Sequence, residues 1–315
     1  MQPTKILIDT DPGVDDAMAI FFALQSPELD VVGLTTIFGN VHTDLATTNA
    51  LRLLEIADRV DIPVAKGAEA PLAGPFGGPV PFVHGEDGQG NVHLPPPTTE
   101  PVPEPAAEFI VDQVMSFSGE ITLVPIGPLT NIALALRLEP QIVRHVKAVV
   151  LMGGNALVPG NATPAAEANI HNDPEAADIV LGAGWPVTMV GLDVTHKVNM
   201  TREHLDQYAN ADNPLAKYIA RIVPFYRQFF EKYNKIDGIY VHDSTAIAYV
   251  INPALFQTKQ WPIRVETQGI SRGKTWPAIG NTERAEAWQN RPKVNVCVDV
   301  HAEKTLELEL RRLTT

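Results

Sequence analysis

One cysteine, Cys297, is all the chain has in 315 residues. An internal disulfide is thereby excluded, and a reducing compartment is the simplest setting for such a chain. Cys297 sits in the alternating run Val294-Asn295-Val296-Cys297-Val298, which reads as a strand with a buried thiol. Positive charge is also scarce: 24 Lys and Arg stand against 37 Asp and Glu, a formal net charge of −13. That field repels phosphate backbones, and no basic stripe offsets it, so nucleic acid is not an expected partner. No uninterrupted apolar stretch reaches the roughly 20 residues of a membrane span, and Met1 to Lys5 lacks the pattern of a signal peptide. No membrane partner and a cytoplasmic location are the resulting expectations. Hydrophobic residues at 45% and charged residues at 19% exclude a disordered chain and fit a globular one.

Short β-branched runs alternate with helical patterns along the chain. Residues 5–9, 31–37, 121–124, 148–152 and 187–190 read as strands that are apolar almost throughout. Helical spacing of apolar residues covers 15–25, 44–57, 130–138, 174–182, 214–233, 244–250 and 302–313. This alternation predicts an α/β fold with a mostly parallel central sheet flanked by helices on both faces. Ten of the 27 prolines fall between Pro71 and Pro105, around a Gly-rich segment at 74–90. A loop of that length inside a compact domain is usually functional, and it reads as a surface loop over the site. No internal repeat or low-complexity tract interrupts the pattern, so a single domain over 1–315 is expected.

Asp9-Thr10-Asp11-Pro12-Gly13-Val14-Asp15-Asp16 puts four carboxylates within eight residues at the carboxyl end of the first strand. In open α/β sheets ligands bind at that end. Four neighbouring anions repel one another, and burying them without counter-charge is costly. The chain has no Lys or Arg between Lys5 and Arg52. Oxygen ligands at this density suit a hard cation, Ca²⁺ or Mg²⁺, and the Pro-Gly bend lets Asp11 and Asp16 converge on one ion. The plainer reading, in which Asp15 and Asp16 only favour a helix N-terminus, accounts for two of the four.

The same segment, continued to Ala17, resembles the N-terminal signature of the inosine-uridine-preferring nucleoside hydrolases. Further motifs similar to that family's follow in its order: Phe38-Gly39-Asn40, Val83-His84-Gly85, Gly127-Pro128-Leu129-Thr130-Asn131, Met152-Gly153-Gly154, Glu167-Ala168-Asn169 and His242-Asp243. The resemblance spans nearly the whole chain. It implies hydrolysis of the N-glycosidic bond of ribonucleosides, a Ca²⁺ cofactor and a homo-oligomer, either dimer or tetramer. It also implies metal ligands at Asp11, Asp16, Asp243 and the main-chain carbonyl of Ile126, with Asp15 as general base and Asp9 supporting from behind.

By the same resemblance Asn40, Asn161, Glu167 and Asn169 bind the ribose hydroxyls, with Met152 contributing backbone. His84 and His242 lie around the base, and His242 protonates it as it leaves. Tyr226 and Phe230, four apart on a helical pattern, line the base pocket. Blander readings exist for each: turn chemistry for an Asn, a structural role for a lone His, core packing for the aromatics. Residues 226–240 match neither a pyrimidine-specific nor a purine-preferring pattern, which leaves base choice open, with pyrimidine or broad specificity favoured. Two other readings stand beside this one. A Mg²⁺-dependent phosphotransfer enzyme with Asp9 or Asp11 as nucleophile gives Asp16, both His motifs and the Asn set no role. A Ca²⁺-dependent nucleoside- or sugar-binding protein without turnover gives Asp15 none.

Overall fold

Ile6, Leu7 and Ile8 are fully buried, but they serve two different cores: Ile6 and Ile8 join one apolar cluster and Leu7 the other. A strand that is apolar on both faces belongs in the middle of a doubly covered sheet. The computed structural model, which describes residues 2–315, places it there. The strands are β1 (Thr4–Thr10), β2 (Leu29–Thr36), β3 (Val64–Lys66), β4 (Thr122–Pro125), β5 (Ala148–Met152), β6 (Val187–Val190), β7 (Asn199–Met200), β8 (Ile239–Tyr240), β9 (Phe256–Val265), β10 (Thr275–Pro277) and β11 (Lys293–Val300). Nine of them form one sheet in the order β10-β9-β11-β6-β5-β4-β1-β2-β3, while β7 and β8 pair separately. From β11 to β3 every neighbour pair is parallel; β9 runs antiparallel to both β11 and β10. The α/β class with a mostly parallel sheet is as expected.

The strand order positions the site. After β1 the chain moves outward through β2 and β3, then returns to β4 on the other side of β1. Loops leaving β1 and β4 therefore diverge and leave a crevice between them, the topological switch point of the sheet. The acidic turn follows β1, and Ile126-Gly127 follows β4, so both open into that crevice.

Helices cover both faces: α1 (Val14–Leu24), α2 (Thr43–Ile56), α3 (Pro81–His84), α4 (Ala106–Ser116), α5 (Thr130–Leu138), α6 (Ala168–Asn172), α7 (Pro174–Leu181), α8 (Leu192–Thr195), α9 (Arg202–Asn210), α10 (Pro214–Phe229), α11 (His242–Ile251) and α12 (Ala302–Thr314). Buried residues of α1, α2, α10, α11 and α12 pack with Ile6 and Ile8, and those of α4, α5 and α7 with Leu7. Two helix boundaries differ from the sequence expectation. The helix expected from 244 starts at His242, which brings His242 and Asp243 into its first turn. The helix expected over 214–233 ends at Phe229 and gives way to a π-type turn, Phe230–Asn234. Such widened turns recur at functional sites because they re-aim the side chains they carry.

Candidate active site

The acidic turn is buried. Asp9, Asp11 and Asp16 are at most 1% exposed, and Asp15 is 6% exposed. Each carboxylate has its own scaffold. Asp9 accepts from the Thr35 hydroxyl at 2.6 Å and the Asn131 amide at 2.8 Å, tying β1 to β2 and α5. Asp16 accepts from Thr10 Oγ1 at 2.6 Å, the Gly13 amide at 2.9 Å and Asn40 Nδ2 at 3.0 Å. The Asn40 backbone amide reaches Asp11 Oδ2 at 2.6 Å, and Tyr226 donates its hydroxyl to Asp15 Oδ2 at 3.0 Å. Asp243, from α11 more than two hundred residues later, folds back onto this group. Ligand oxygens of Asp15, Asp16 and Asp243 lie within 4.8 Å of one another. Asp11 lies outside that group of three.

These carboxylates press on one another. Burial, joined by repulsion from Asp16, pushes Asp15 up to about 7. Burial also raises Asp11, Asp16 and Asp243, with Asp16 adding to Asp11 and Asp15 adding to Asp243. Asp11 Oδ1 and Asp15 Oδ1 are buried without a hydrogen-bond partner. No lysine or arginine is among the described residues that line the adjoining cavity. Orphaned carboxylate oxygens with no basic neighbour are what a hard divalent cation satisfies, so the residues present fit one. The carbonyl oxygen of Ile126 accepts from Asn169 Nδ2 at 2.8 Å and keeps a second lone pair.

Beside the acidic group is a cavity of about 690 Å³. Asp15, Asn40, His84, Ile126, Met152, Asn161, Glu167, Asn169, Tyr226, Phe230, His242 and Asp243 all line it. Every expected ligand, catalytic or substrate residue except Asp11 and Asp16 is therefore on its wall, and those two stand behind it with the supporting Asp9. The Pro-rich loop contributes Val80, Phe82, Val83 and His84, as its reading as a cover over the site anticipated. The π-type turn contributes Phe230, Tyr233 and Asn234, next to Phe229 of α10.

The polar groups expected at the sugar are largely engaged with the protein itself. Asn40 holds Asp11 and Asp16. Glu167 caps α6, accepting from the amides of Asn169, Ile170 and Gly154. Asn169 Nδ2 bridges the carbonyls of Ile126 and Met152, the latter at 3.2 Å. Asn161 is exposed, and its Oδ1 accepts from the Ala168 amide at 3.0 Å. Turn and cap chemistry thus coexists with the pocket rather than competing with it. The two histidines stand apart within the same wall: His84 stacks on Tyr226 at 5.1 Å, whereas His242 Nδ1 is hydrogen-bonded to Thr195 Oγ1 at 2.8 Å. Burial lowers both imidazoles to about 3, with His196 and His84 adding to the effect on His242.

Several supporting residues escaped the sequence reading. Thr10, Thr35 and Asn131 hold the carboxylates; Thr195 and His196 surround His242. Gln89 donates to the carbonyls of Pro12 and Gly13, and accepts from Tyr218, which braces the acidic turn from the Pro-rich loop. Only Thr10 and Asn131 lay in motifs that could have signalled them.

Comparison with known proteins gives the family of the chain. The model of the family described as inosine-uridine preferring nucleoside hydrolase matches residues 6–307. A "probable uridine nucleosidase 2" of Arabidopsis thaliana is 47% identical over 312 residues, 98% of this chain and 97% of its own. A plant nucleoside hydrolase of known structure superposes with a TM-score of 0.97 at 42% identity, covering 99% of each chain. A purine-preferring ribonucleoside hydrolase from Gardnerella vaginalis superposes at 0.92 with 33% identity, covering 98% of each. With a family model matched over almost its whole length and a full-length relative this similar, the chain belongs to the inosine-uridine preferring nucleoside hydrolase family.

Proposed function

We propose that this nucleoside hydrolase uses Ca²⁺ to cleave the N-glycosidic bond of ribonucleosides to free base and ribose, with uridine and related pyrimidine nucleosides preferred. The observation that carries the reading is the convergence of Asp15, Asp16 and Asp243 within 4.8 Å beside a cavity walled by His84, His242, Tyr226 and Phe230. Asp11, Asp16, Asp243 and the Ile126 carbonyl would hold the ion. When bound, Ca²⁺ supplies Lewis acidity to a water and an anchor for vicinal hydroxyls.

The protein's own groups carry the remaining steps. Asp15 stands beside the proposed ion, whose charge would favour its ionised form, and is placed to accept a water proton. Asn161, Glu167 and Asn169 orient the sugar, with Asn40 fixing the carboxylates behind it. As the bond breaks, the sugar takes on oxocarbenium-like positive charge, and the fixed carboxylates stabilise it. His242 is neutral in the free protein. Negative charge building on the departing base draws its pKa back up, so the ring takes a proton from solvent and passes it to the base as the bond breaks.

The pyrimidine preference is supported by the 47% identical Arabidopsis relative, named a probable uridine nucleosidase, against a purine-preferring structural neighbour at 33%. The proposal includes a homo-oligomer, dimer or tetramer, on family resemblance, and a cytoplasmic location consistent with the lone buried Cys297. Among the described residues no helix is long and apolar enough to cross a membrane. Ribose release from uridine, cytidine, inosine and adenosine, with and without a chelator, tests the reading. Uridine should lead inosine by about tenfold in kcat/KM, a difference of about 1.4 kcal/mol in transition-state binding. Chelation should stop turnover and Ca²⁺ restore it. Absence of turnover with every nucleoside in Ca²⁺ would refute the activity, a lead for inosine the preference, and indifference to chelation the metal.

A further inference from the structure

Residues 153–167 connect β5 to α6 without regular secondary structure, and they bring Asn161 and Glu167 to the cavity. A segment with no ladder of its own needs other partners for its backbone groups. Here its first turn is gripped between two opposite charges. The Asp193 carboxylate, from α8, accepts from the amides of Ala156 and Leu157, both at 2.7 Å. On the carbonyl side the Lys274 ammonium donates to Asn155 O at 2.5 Å and stands 3.4 and 3.5 Å from Val158 O and Ala156 O.

Lys274 is only 8% exposed, and its ammonium is matched to backbone carbonyls instead of a carboxylate. A buried charge of this kind is costly unless its surroundings are fixed around it. The surroundings are fixed. Thr275 Oγ1 both accepts from the Asn155 amide and donates to the Asn155 carbonyl, each at 2.9 Å. Asn155 Nδ2 then crosses to Val158 O and Ala165 O, joining the two limbs of the loop. The turn carrying Lys274 also lies flat on this segment, since a Cβ at Gly273 would come within 2.8 Å of Ala166 Cβ and 3.0 Å of His171 Cα. Lys274 does not line the cavity.

We propose that Lys274 and Asp193 are positioning residues for the sugar side of the active site. They clamp the 155–158 turn between cation and anion, so that Asn161, Glu167 and Asn169 are in place before the nucleoside arrives. The clamp rests on the reading of those three as ribose-binding groups. Its turn presents amides to the anion and carbonyls to the cation, an alignment that the dry surroundings strengthen. Ordering the loop in advance removes that entropy cost from substrate binding.

Lys274→Met keeps the aliphatic stem and removes the charge, and it tests the clamp. Amide hydrogen exchange at Ala156 and Leu157 should accelerate about tenfold, with β1 amides unchanged. KM for uridine and the inhibition constant of free D-ribose should rise about tenfold together, while inhibition by free uracil stays as in the wild type. A folded Lys274→Met with native exchange and native KM overturns the proposal. So does exchange that rises equally in β1, which would mark Lys274 as a general stabiliser. If Lys274→Met does not fold, Asp193→Asn loosens the same turn from the other side and is read by the same measurements. Wild-type protein that hydrolyses no nucleoside defeats the ribonucleoside reading alone, and exchange at Ala156 and Leu157 still decides the clamp.

Discussion

Val14 donates its backbone N–H to Nδ1 of His84 at 3.1 Å, across 70 residues of sequence. An amide can only donate, so Nδ1 is the unprotonated nitrogen and the proton of the neutral ring sits on Nε2. Val14 opens α1, whose N-cap is Gly13 and offers no side-chain oxygen. The imidazole of the Pro-rich loop therefore satisfies one of the orphan amides of that helix. Although Asp15 Oδ1 lies 3.8 Å away, burial outweighs it and holds His84 neutral. Nitrogen-15 spectra should show one Nε2–H tautomer from pH 5 to pH 8. A ring titrating near its ordinary value would contradict the assignment. Replacing His84 with Ala leaves the Val14 amide buried and unpaired, and denaturation should register a loss of about 1–3 kcal/mol.

Asp15 and Asp243 share the acidic group but should fail differently. Asp15→Asn removes the proposed proton acceptor while keeping an oxygen beside the proposed ion site. It should lower kcat about a thousandfold, with Ca²⁺ affinity within a few fold of wild type. Asp243→Asn removes charge from a proposed ligand and should weaken Ca²⁺ binding first. Calorimetric Ca²⁺ titration beside steady-state kinetics separates the two. Equal loss of Ca²⁺ in both variants would make Asp15 a ligand, which its place within 4.8 Å of Asp16 and Asp243 keeps in view.

Tyr226 bears on the same carboxylate. Its hydroxyl donates to Asp15 Oδ2 and so lowers a pKa that burial and Asp16 raise. Tyr226→Phe should shift the acidic limb of the kcat/KM profile to higher pH, because Asp15, as the proposed base, must lose its proton to work. The His84 stack loses little, since the ring remains. A profile that keeps its acidic limb in place would show that the limb belongs to another group.

Stability without metal should fall as pH rises. Burial raises Asp9, Asp11, Asp15, Asp16, Asp243, Glu167 and Glu309, so from about pH 4 the folded protein holds more protons than the unfolded chain. Asp9, Asp15 and Glu309 extend that window to about 7. His84, His196 and His242, lowered by burial, act oppositely below their usual pKa, but they are fewer. With chelator present, Tm should drop between pH 5 and pH 8. The Tm gain on adding Ca²⁺ should grow over the same range, because the ion replaces those protons. A metal-free Tm that climbs with pH would show that burial does not raise these carboxylates above their unfolded values.

How far the site could be read from the chain follows from how local its parts are. The four carboxylates of the acidic turn are neighbours in sequence, and the apolar strand before them is legible by composition alone. The helix at His242 began two residues earlier than its apolar pattern, because polar residues in a first turn leave no periodicity to read. The π-type turn at Phe230–Asn234 has no signature distinct from the helix it widens. His84 with Val14, Thr195 with His242 and Lys274 with Asn155 pair across 70, 47 and 119 residues. Such pairs are set by the crossover order of the sheet, which spacing within one segment does not encode.

Gly127 connects the strand order to the proposed metal site most directly. It follows β4, and a Cβ built there would lie 2.7 Å from Asp11 Oδ1 and 2.8 Å from Ile37 Cγ2. Ile37 is fully buried and has nowhere to move, so Asp11 must yield. The oxygen displaced is the unpartnered one, the atom free for a cation. Gly127 needs no left-handed backbone, so Ala acts through this contact rather than through conformational strain. Gly127→Ala should therefore weaken Ca²⁺ binding by about tenfold, equivalent to about 1.4 kcal/mol. Turnover should recover at saturating Ca²⁺, since Asp15 and the cavity wall are untouched. Calcium titration of the activity reads both quantities. An unchanged Ca²⁺ midpoint would remove Asp11 from the ligand set and leave Asp15, Asp16 and Asp243 as the carboxylates that hold the ion.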